Sequence, residues 1–298
     1  MARKRGITGV ARDLVAGGVV QTLRLVPGTR ALGLRRDLRD AAWLRHADAV
    51  VISFPKSGRT FVRAMLSRLF QRRYGIDERK LLEFPVLRKA APEVPRLLFT
   101  HAGDAMRTPD EIELDAREYG HARVALLARH PGDVAVSRQH HLKYRSRDKA
   151  RQKLAEQPLE LFIWSEQGGI PSIVRFMNQW AELARHRKGV GIVRYEDFIT
   201  DPAETLQKLA TLVGLEVDEA DIDDAVEFAA FDRLKQREQE GYFSSSRLQP
   251  SRADDSRSGK VRKGGSGGYR KRLEAREAAK VDAYLATHLD PVFGYSTS

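Results

Sequence analysis

The chain has 298 residues, 42% of them hydrophobic, enough for one sizeable α/β core or two average domains, so wholesale disorder is excluded. It has no cysteine, which excludes disulfides, thiol catalysis and zinc–thiolate sites together. Its formal net charge of +12 favours anionic partners, whether nucleic acid, anionic lipid or a phosphorylated or sulfated substrate, without choosing among them.

Residues 1–46 carry ten Lys or Arg against three Asp, a net of +7. Ile7, Val10, Ala11, Leu14, Val15, Val19, Leu23 and Val26 recur there at helical spacing. The segment reads as a basic amphipathic N-terminal extension, which either packs on the domain or touches an anionic membrane surface. No run of about 18 apolar residues is present, so no transmembrane helix is expected. Without the apolar core of a signal peptide, the protein is expected in the cytoplasm, at most peripheral to the inner face of the membrane.

Residues 47–298 read as one domain. Four short apolar runs predict buried parallel strands: "AVVIS" near 49–53, "RLLFT" near 96–100, "VALLA" near 124–128 and "VGIVR" near 190–194. Helical stretches separate them. "TFVRAMLSRLFQRR" places Phe61, Met65, Leu66 and Leu69 on one face, and "DVAVSRQHHLKYR" follows a Pro-Gly turn. "PSIVRFMNQWAELARHR" starts with Pro171 at a first helical position. The stretch at about 241–268, rich in Ser, Gly and Arg, reads as a mobile loop, and "RKRLEAREAAKVDAYLATHL" as a closing helix. This alternation predicts an α/β fold with a central, mostly parallel β-sheet flanked by helices.

Ligands of open parallel sheets bind beyond the carboxyl ends of the strands. The first strand leads into Lys56, Ser57, Gly58, Arg59 and Thr60, followed by a helix. The second leads into Thr100 and His101, the third into Arg129 with Ser137 two turns later, the fourth into Arg194, Tyr195, Glu196 and Asp197. The first turn suits an anion: Gly58 permits close approach, and the following helix presents its N-terminus. Lys56 nevertheless precedes the glycine, whereas the nucleoside-triphosphate loop G-x-x-x-x-G-K-[ST] places lysine after it. Each element alone also admits a plain structural reading: a helix-capping loop, a satisfied histidine, a basic linker.

Taken in order, "SFPKSGRTF", "FTH", "ARHPGDVAVS", "RYEDF" and "RKGGSGGY" resemble the sulfotransferases that use 3′-phosphoadenosine 5′-phosphosulfate (PAPS), over about Val51 to Tyr269. The similarity is greatest to the cytosolic type and its bacterial relatives, and it implies their P-loop NTPase-like sulfotransferase fold. It also implies that Lys56, Ser57, Gly58, Arg59 and Thr60 hold the 5′-phosphosulfate. Arg129 and Ser137 would grip the 3′-phosphate, with Arg262, Lys263 and Gly264 in a capping loop. Phe61 stands where the family usually has a tryptophan beside the adenine, and Tyr195 matches a tyrosine near the base. His101 matches the catalytic base, which removes a proton from a hydroxyl or amine acceptor, and Lys56 would stabilise the leaving phosphate. Ser137 is implied to hold Lys56 back until an acceptor is present. PAPS is then the co-substrate and PAP the product, no metal is required, and nucleic acid is not an expected partner.

Three departures stand out. The family often has lysine two residues before the histidine, where this chain has Phe99; Arg59 replaces a frequent threonine; and the late loop ends in Gly268-Tyr269 instead of Asp-Trp. The runner-up reading is an inactive PAP-binding relative. A small-molecule kinase would need magnesium ligands, for which Asp104 and Asp197 are weak candidates, and a basic membrane or nucleic-acid binder would not demand these motifs in order. The acceptor, whether small molecule, glycan or glycolipid, and the oligomeric state are left open by the sequence.

Overall fold

The computed structural model describes residues 38–77, 79–146, 148–245 and 265–295. The apolar face expected within residues 7–26 and the basic triplet Arg262–Gly264 lie outside them. A helix over 38–44 (α1) opens the described chain. There follow β1 (Ala49–Ile52), α2 (Arg59–Tyr74), β2 (Leu97–Thr100), β3 (Arg123–Ala128), α3 (Pro131–Arg145), α4 (Ile170–His186) and β4 (Val190–Arg194). Helices α5 (Pro202–Leu212), α6 (Glu219–Ala229) and α7 (Ala275–His288) complete the main elements.

The four strands form one sheet in the order β2-β1-β3-β4, with every pairing parallel. Ala49 pairs with Leu97 on one side and Arg123 on the other, so β1 is central. Successive strand side chains point to opposite faces, and both faces are covered. Val50, Ile52, Val124 and Leu126 pack with Ile173, Phe176 and Trp180 of α4 and Val281 and Leu285 of α7. Ala49, Val51, Ala125 and Leu127 pack the other way, with Met65, Leu66 and Leu69 of α2, Leu206 and Leu209 of α5, and Ile222 and Ala225 of α6. The four strands coincide with the four apolar runs of the sequence.

Boundaries differ in places. Helix α4 starts at Ile170, so Pro171 is its second residue. The closing helix starts only at Ala275. Residues 270–273 form a single turn, in which the carbonyl of Tyr269 accepts the amides of both Arg272 and Leu273, and Glu274, with extended backbone (φ −62°, ψ 152°), separates it from the helix. Residues 38–46 are continuous with the domain's packing: Leu44 joins the core, Trp43 stacks on Phe84 at 5.4 Å, and Asp40 accepts the Thr100 hydroxyl at 2.7 Å. The described ends of the expected mobile loop are both anchored, Ser244 to the Arg79 carbonyl and Gly267 to Asp133.

Candidate active site at the carboxyl edge of the sheet

The chain after β1 turns sharply before it can enter α2. Lys56 has φ 81° and Gly58 φ 89°, two left-handed residues within three positions. For a non-glycine residue that conformation is uncommon and costs about 1–2 kcal/mol. Gly58 is the N-cap of α2, no side chain caps the helix, and its first turn holds no acidic residue. The Ser57 amide donates to the Phe54 carbonyl, and the Phe61 and Val62 amides to Gly58. The amides of Arg59 and Thr60 lie in the first turn of α2, ahead of any intrahelical acceptor. A helix N-terminus left without a carboxylate or cap is a ready anion site.

Arg129, from the end of β3, reaches across this turn. Its Nη1 donates to the Lys56 carbonyl at 3.1 Å and its Nη2 to the Gly265 carbonyl at 3.1 Å. Its guanidinium lies 4.4 Å from the centre of the Tyr195 ring. Its Nε is buried and has no partner among the described residues. One arginine thus joins the turn after β1, the start of β4's loop and the end of the late loop. Tyr195 is 7% exposed, and burial pushes its phenol above the ordinary range while Arg129 pulls it down. Phe61 meets Tyr195 edge-on at 6.2 Å and Phe198 at 6.5 Å, forming an aromatic wall beside the turn.

His101 follows β2 on the other side of the turn. Its Nδ1 lies 2.7 Å from the Ser53 carbonyl and its Nε2 lies 2.7 Å from Nη2 of Arg59. A carbonyl only accepts and a guanidinium only donates. The imidazole is therefore neutral, with its hydrogen on Nδ1 and its lone pair on Nε2. Phe99, two residues earlier, lies under the guanidinium of buried Arg63 at 4.1 Å.

The structure thus brings Lys56, Ser57, Gly58, Arg59, Thr60, Phe61, His101, Arg129 and Tyr195 to one edge, while Ser137 stands in the second turn of α3. Asp104 is bonded to Arg151 at 2.8 Å and Asp197 to Arg194, so neither faces the turn as an open metal ligand. Among the described residues no cluster of His, Asp and Glu fits a metal ion.

Several contributors were not legible in the motifs. Asp133 is 4% exposed and accepts the amides of Gly267 at 2.9 Å and Tyr269 at 2.8 Å, which roots the late loop on the first turn of α3. His130 stacks on Tyr269 at 4.5 Å, and Glu196 ties the His130 amide to the Tyr295 hydroxyl. The only available signal for Asp133 was an acidic residue in a first helical turn, which has a simpler reading as a dipole partner.

The model of the sulfotransferase domain matches residues 46–292. The chain belongs to the sulfotransferase family. Sulfotransferase 1A1 of Canis lupus familiaris is 27% identical over 268 residues, 82% of this chain and 83% of that protein. Sulfotransferase 1A1 of Bos taurus is 28% identical over 262 residues, 80% of this chain and 82% of that protein. Among solved structures, a mouse sulfotransferase complexed with PAP has 17% identity and a TM-score of 0.56, over 83% of this chain and 88% of that one. Retinol dehydratase, complexed with androsterone and PAP, has 16% identity and a TM-score of 0.58, over 85% and 86%. These structures share the sulfotransferase fold with this chain. No helix among the described residues is long and apolar enough to cross a membrane.

Proposed function

We propose that this sulfotransferase uses PAPS as co-substrate and transfers its sulfuryl group to the hydroxyl of a small acceptor, with His101 as general base and Lys56 facing the departing phosphate. The observation that carries the reading is the fixed neutral imidazole of His101 beside an uncapped, cation-rich helix N-terminus. Those residues fit the nucleotide: the buried Nε of Arg129, without a partner among the described residues, and the first-turn amides of α2, which precede any intrahelical acceptor, are donors suited to an anion. Lys56, Ser57, Gly58, Arg59 and Thr60 would hold the 5′-phosphosulfate. Arg129 and Ser137 would hold the 3′-phosphate together with Arg262, Lys263 and Gly264. Phe61 and Tyr195 would flank the adenine.

When bound, PAPS supplies the sulfuryl group and a phosphate leaving group. His101 takes the acceptor's hydroxyl proton on Nε2, the nitrogen that keeps its lone pair while Nδ1 donates to the Ser53 carbonyl. Lys56 and the α2 N-terminus supply fixed positive charge where the leaving oxygen becomes negative. Relatives of known structure hold retinol or androsterone beside PAP, and we extend a small hydroxyl-bearing acceptor to this chain.

The test is calorimetric titration with PAP without magnesium, followed by transfer of radiolabelled sulfate from PAPS to a cell extract. Binding with a labelled small-molecule product supports the reading. Indifference to PAP overturns it, and tight PAP binding without any labelled product replaces it with an inactive nucleotide-binding relative.

A further inference from the structure

Helix residues four apart rise about 6 Å and share a face. Strand residues two apart advance roughly 6.6 Å and share a face. Helix α2 and the end of β2 use this match to make two rungs. Arg63 lies over Phe99 at 4.1 Å, and Arg59, one turn earlier, meets His101 at 2.7 Å. The Arg63 rung is buried, at 3% exposure, so it fixes the rotation of α2 against the strand. That rotation aims Arg59 at the imidazole.

We propose that Arg59 is the positioning residue of the base: docked on Nε2, it holds His101 in its unprotonated form, and the acceptor hydroxyl takes its place. The proposal rests on the reading of His101 as base and deepens it. A proton on Nε2 would face the N–H of Arg59 and add a second positive charge at hydrogen-bond distance. Protonation of His101 thus requires Arg59 to leave, and the imidazole stays available as a base at lower pH than a free histidine. The acceptor's O–H can donate to the same lone pair that the guanidinium N–H now occupies, so exchange of one donor for the other leaves the tautomer unchanged. Ser53 keeps the hydrogen on Nδ1 throughout.

Other charged groups on the elements around His101 are Lys56 on the turn, Asp40 of α1, and Arg107 and Asp104 on the following loop. Asp40 is paired with Arg39 and Thr100, Arg107 donates to the Ala102 carbonyl, and Asp104 is held by Arg151.

The test compares the unliganded full chain with Arg59→Ala and Arg59→Lys by following the His101 ring nitrogens by NMR against pH. The signal is assigned by its absence in His101→Asn. The expected result is a hydrogen on Nδ1 in the parent, a pKa raised by about one unit in Arg59→Ala, and partial return in Arg59→Lys. As a second readout, acylation of His101 by diethyl pyrocarbonate at pH 8, measured on its peptide, should accelerate several-fold in Arg59→Ala. Equal titration and equal acylation in all three proteins would overturn the proposal. Full sulfate transfer by His101→Ala would instead overturn the reading of His101 as base, leaving the titration result to stand by itself.

Discussion

Gly58 lies so close to Tyr195 that a Cβ at position 58 would fall 2.2 Å from the ring. The glycine also has φ 89°, so both the backbone and the neighbouring ring demand a residue without a side chain. Tyr195 cannot retreat easily, since it is 7% exposed and lies under Arg129. Gly58→Ala is therefore expected to lower stability by about 1–2 kcal/mol or more, the cost of left-handed strain alone, and to weaken PAP binding by displacing the turn. A thermal melt and a PAP titration check both. Unchanged affinity would show that the anion is not held at this turn.

Arg129 makes its contacts as a fork, to the carbonyls of Lys56 and Gly265, with a third donor that has no partner among the described residues. Lysine cannot reproduce a fork. Arg129→Ala is expected to reduce PAP affinity by roughly ten- to a hundred-fold, the range of one or two charged hydrogen bonds, with Arg129→Lys intermediate. Adenosine 5′-phosphosulfate, which lacks the 3′-phosphate, separates binding from scaffolding. If its affinity falls as much as that of PAP, Arg129 acts only by holding the turn.

Asp133 fastens the described end of the late loop to α3, through the amides of Gly267 and Tyr269. Asp133→Asn turns one acceptor oxygen into a donor facing an N–H group. The expected loss is about 1–3 kcal/mol of stability. Amide exchange at Gly267 and Tyr269 should speed up, and PAP binding should weaken a few-fold. Unaltered exchange at both amides would show that the loop is rooted elsewhere.

His101 and Lys56 should separate chemistry from binding. His101→Ala is expected to abolish sulfate transfer while PAP affinity stays within about twofold, because the imidazole's bonds to Arg59 and Ser53 leave the first-turn amides and Arg129 to hold the anion. Lys56→Ala should lower the transfer rate by about two to three orders of magnitude, the range seen when one preorganised donor to a developing charge is removed. Steady-state and single-turnover assays with PAPS check both.

Much of this arrangement was legible because its signals are local. Four apolar runs without polar alternation mark strands covered on both faces, and the residues that follow each run need no long-range information to be placed at the carboxyl edge. The contacts that assemble the edge are not local. Nothing in "ARHPGDVAVS" says that Asp133 will meet amides 134 and 136 residues away. The start of α7 was misplaced for a similar reason: "RKRLEAREAA" has good helix formers throughout, but Glu274 takes an extended conformation and caps the helix at Ala275. The departure at Phe99 read as a lost cation, yet Arg63 on α2 brings a guanidinium to within 4.1 Å of that ring. Helix–strand facing of this kind depends on the rotation of α2, which local pattern does not determine.

The buried imidazole of His130 makes stability depend on pH in a predictable direction. Burial lowers its pKa from the ordinary 6.5 to about 4; Asp133 and Asp282 oppose the shift, and Arg270 and Arg129 add to it. Below pH 6.5 the unfolded chain takes up a proton that the folded chain refuses until near pH 4. The stability contribution is thus complete above 6.5 and lost progressively as the pH falls through that window, by at most about 1.4 kcal/mol per pH unit. His130→Asn keeps an acceptor for the Gly132 amide, which Nδ1 now accepts at 3.2 Å, but cannot be protonated. Urea unfolding at pH 7 and pH 5 should show a larger drop in midpoint for the parent than for His130→Asn, even if the variant starts lower. Parallel curves for the two proteins would mean that the imidazole is protonated equally in both states, and that its stack on Tyr269 does not exclude water.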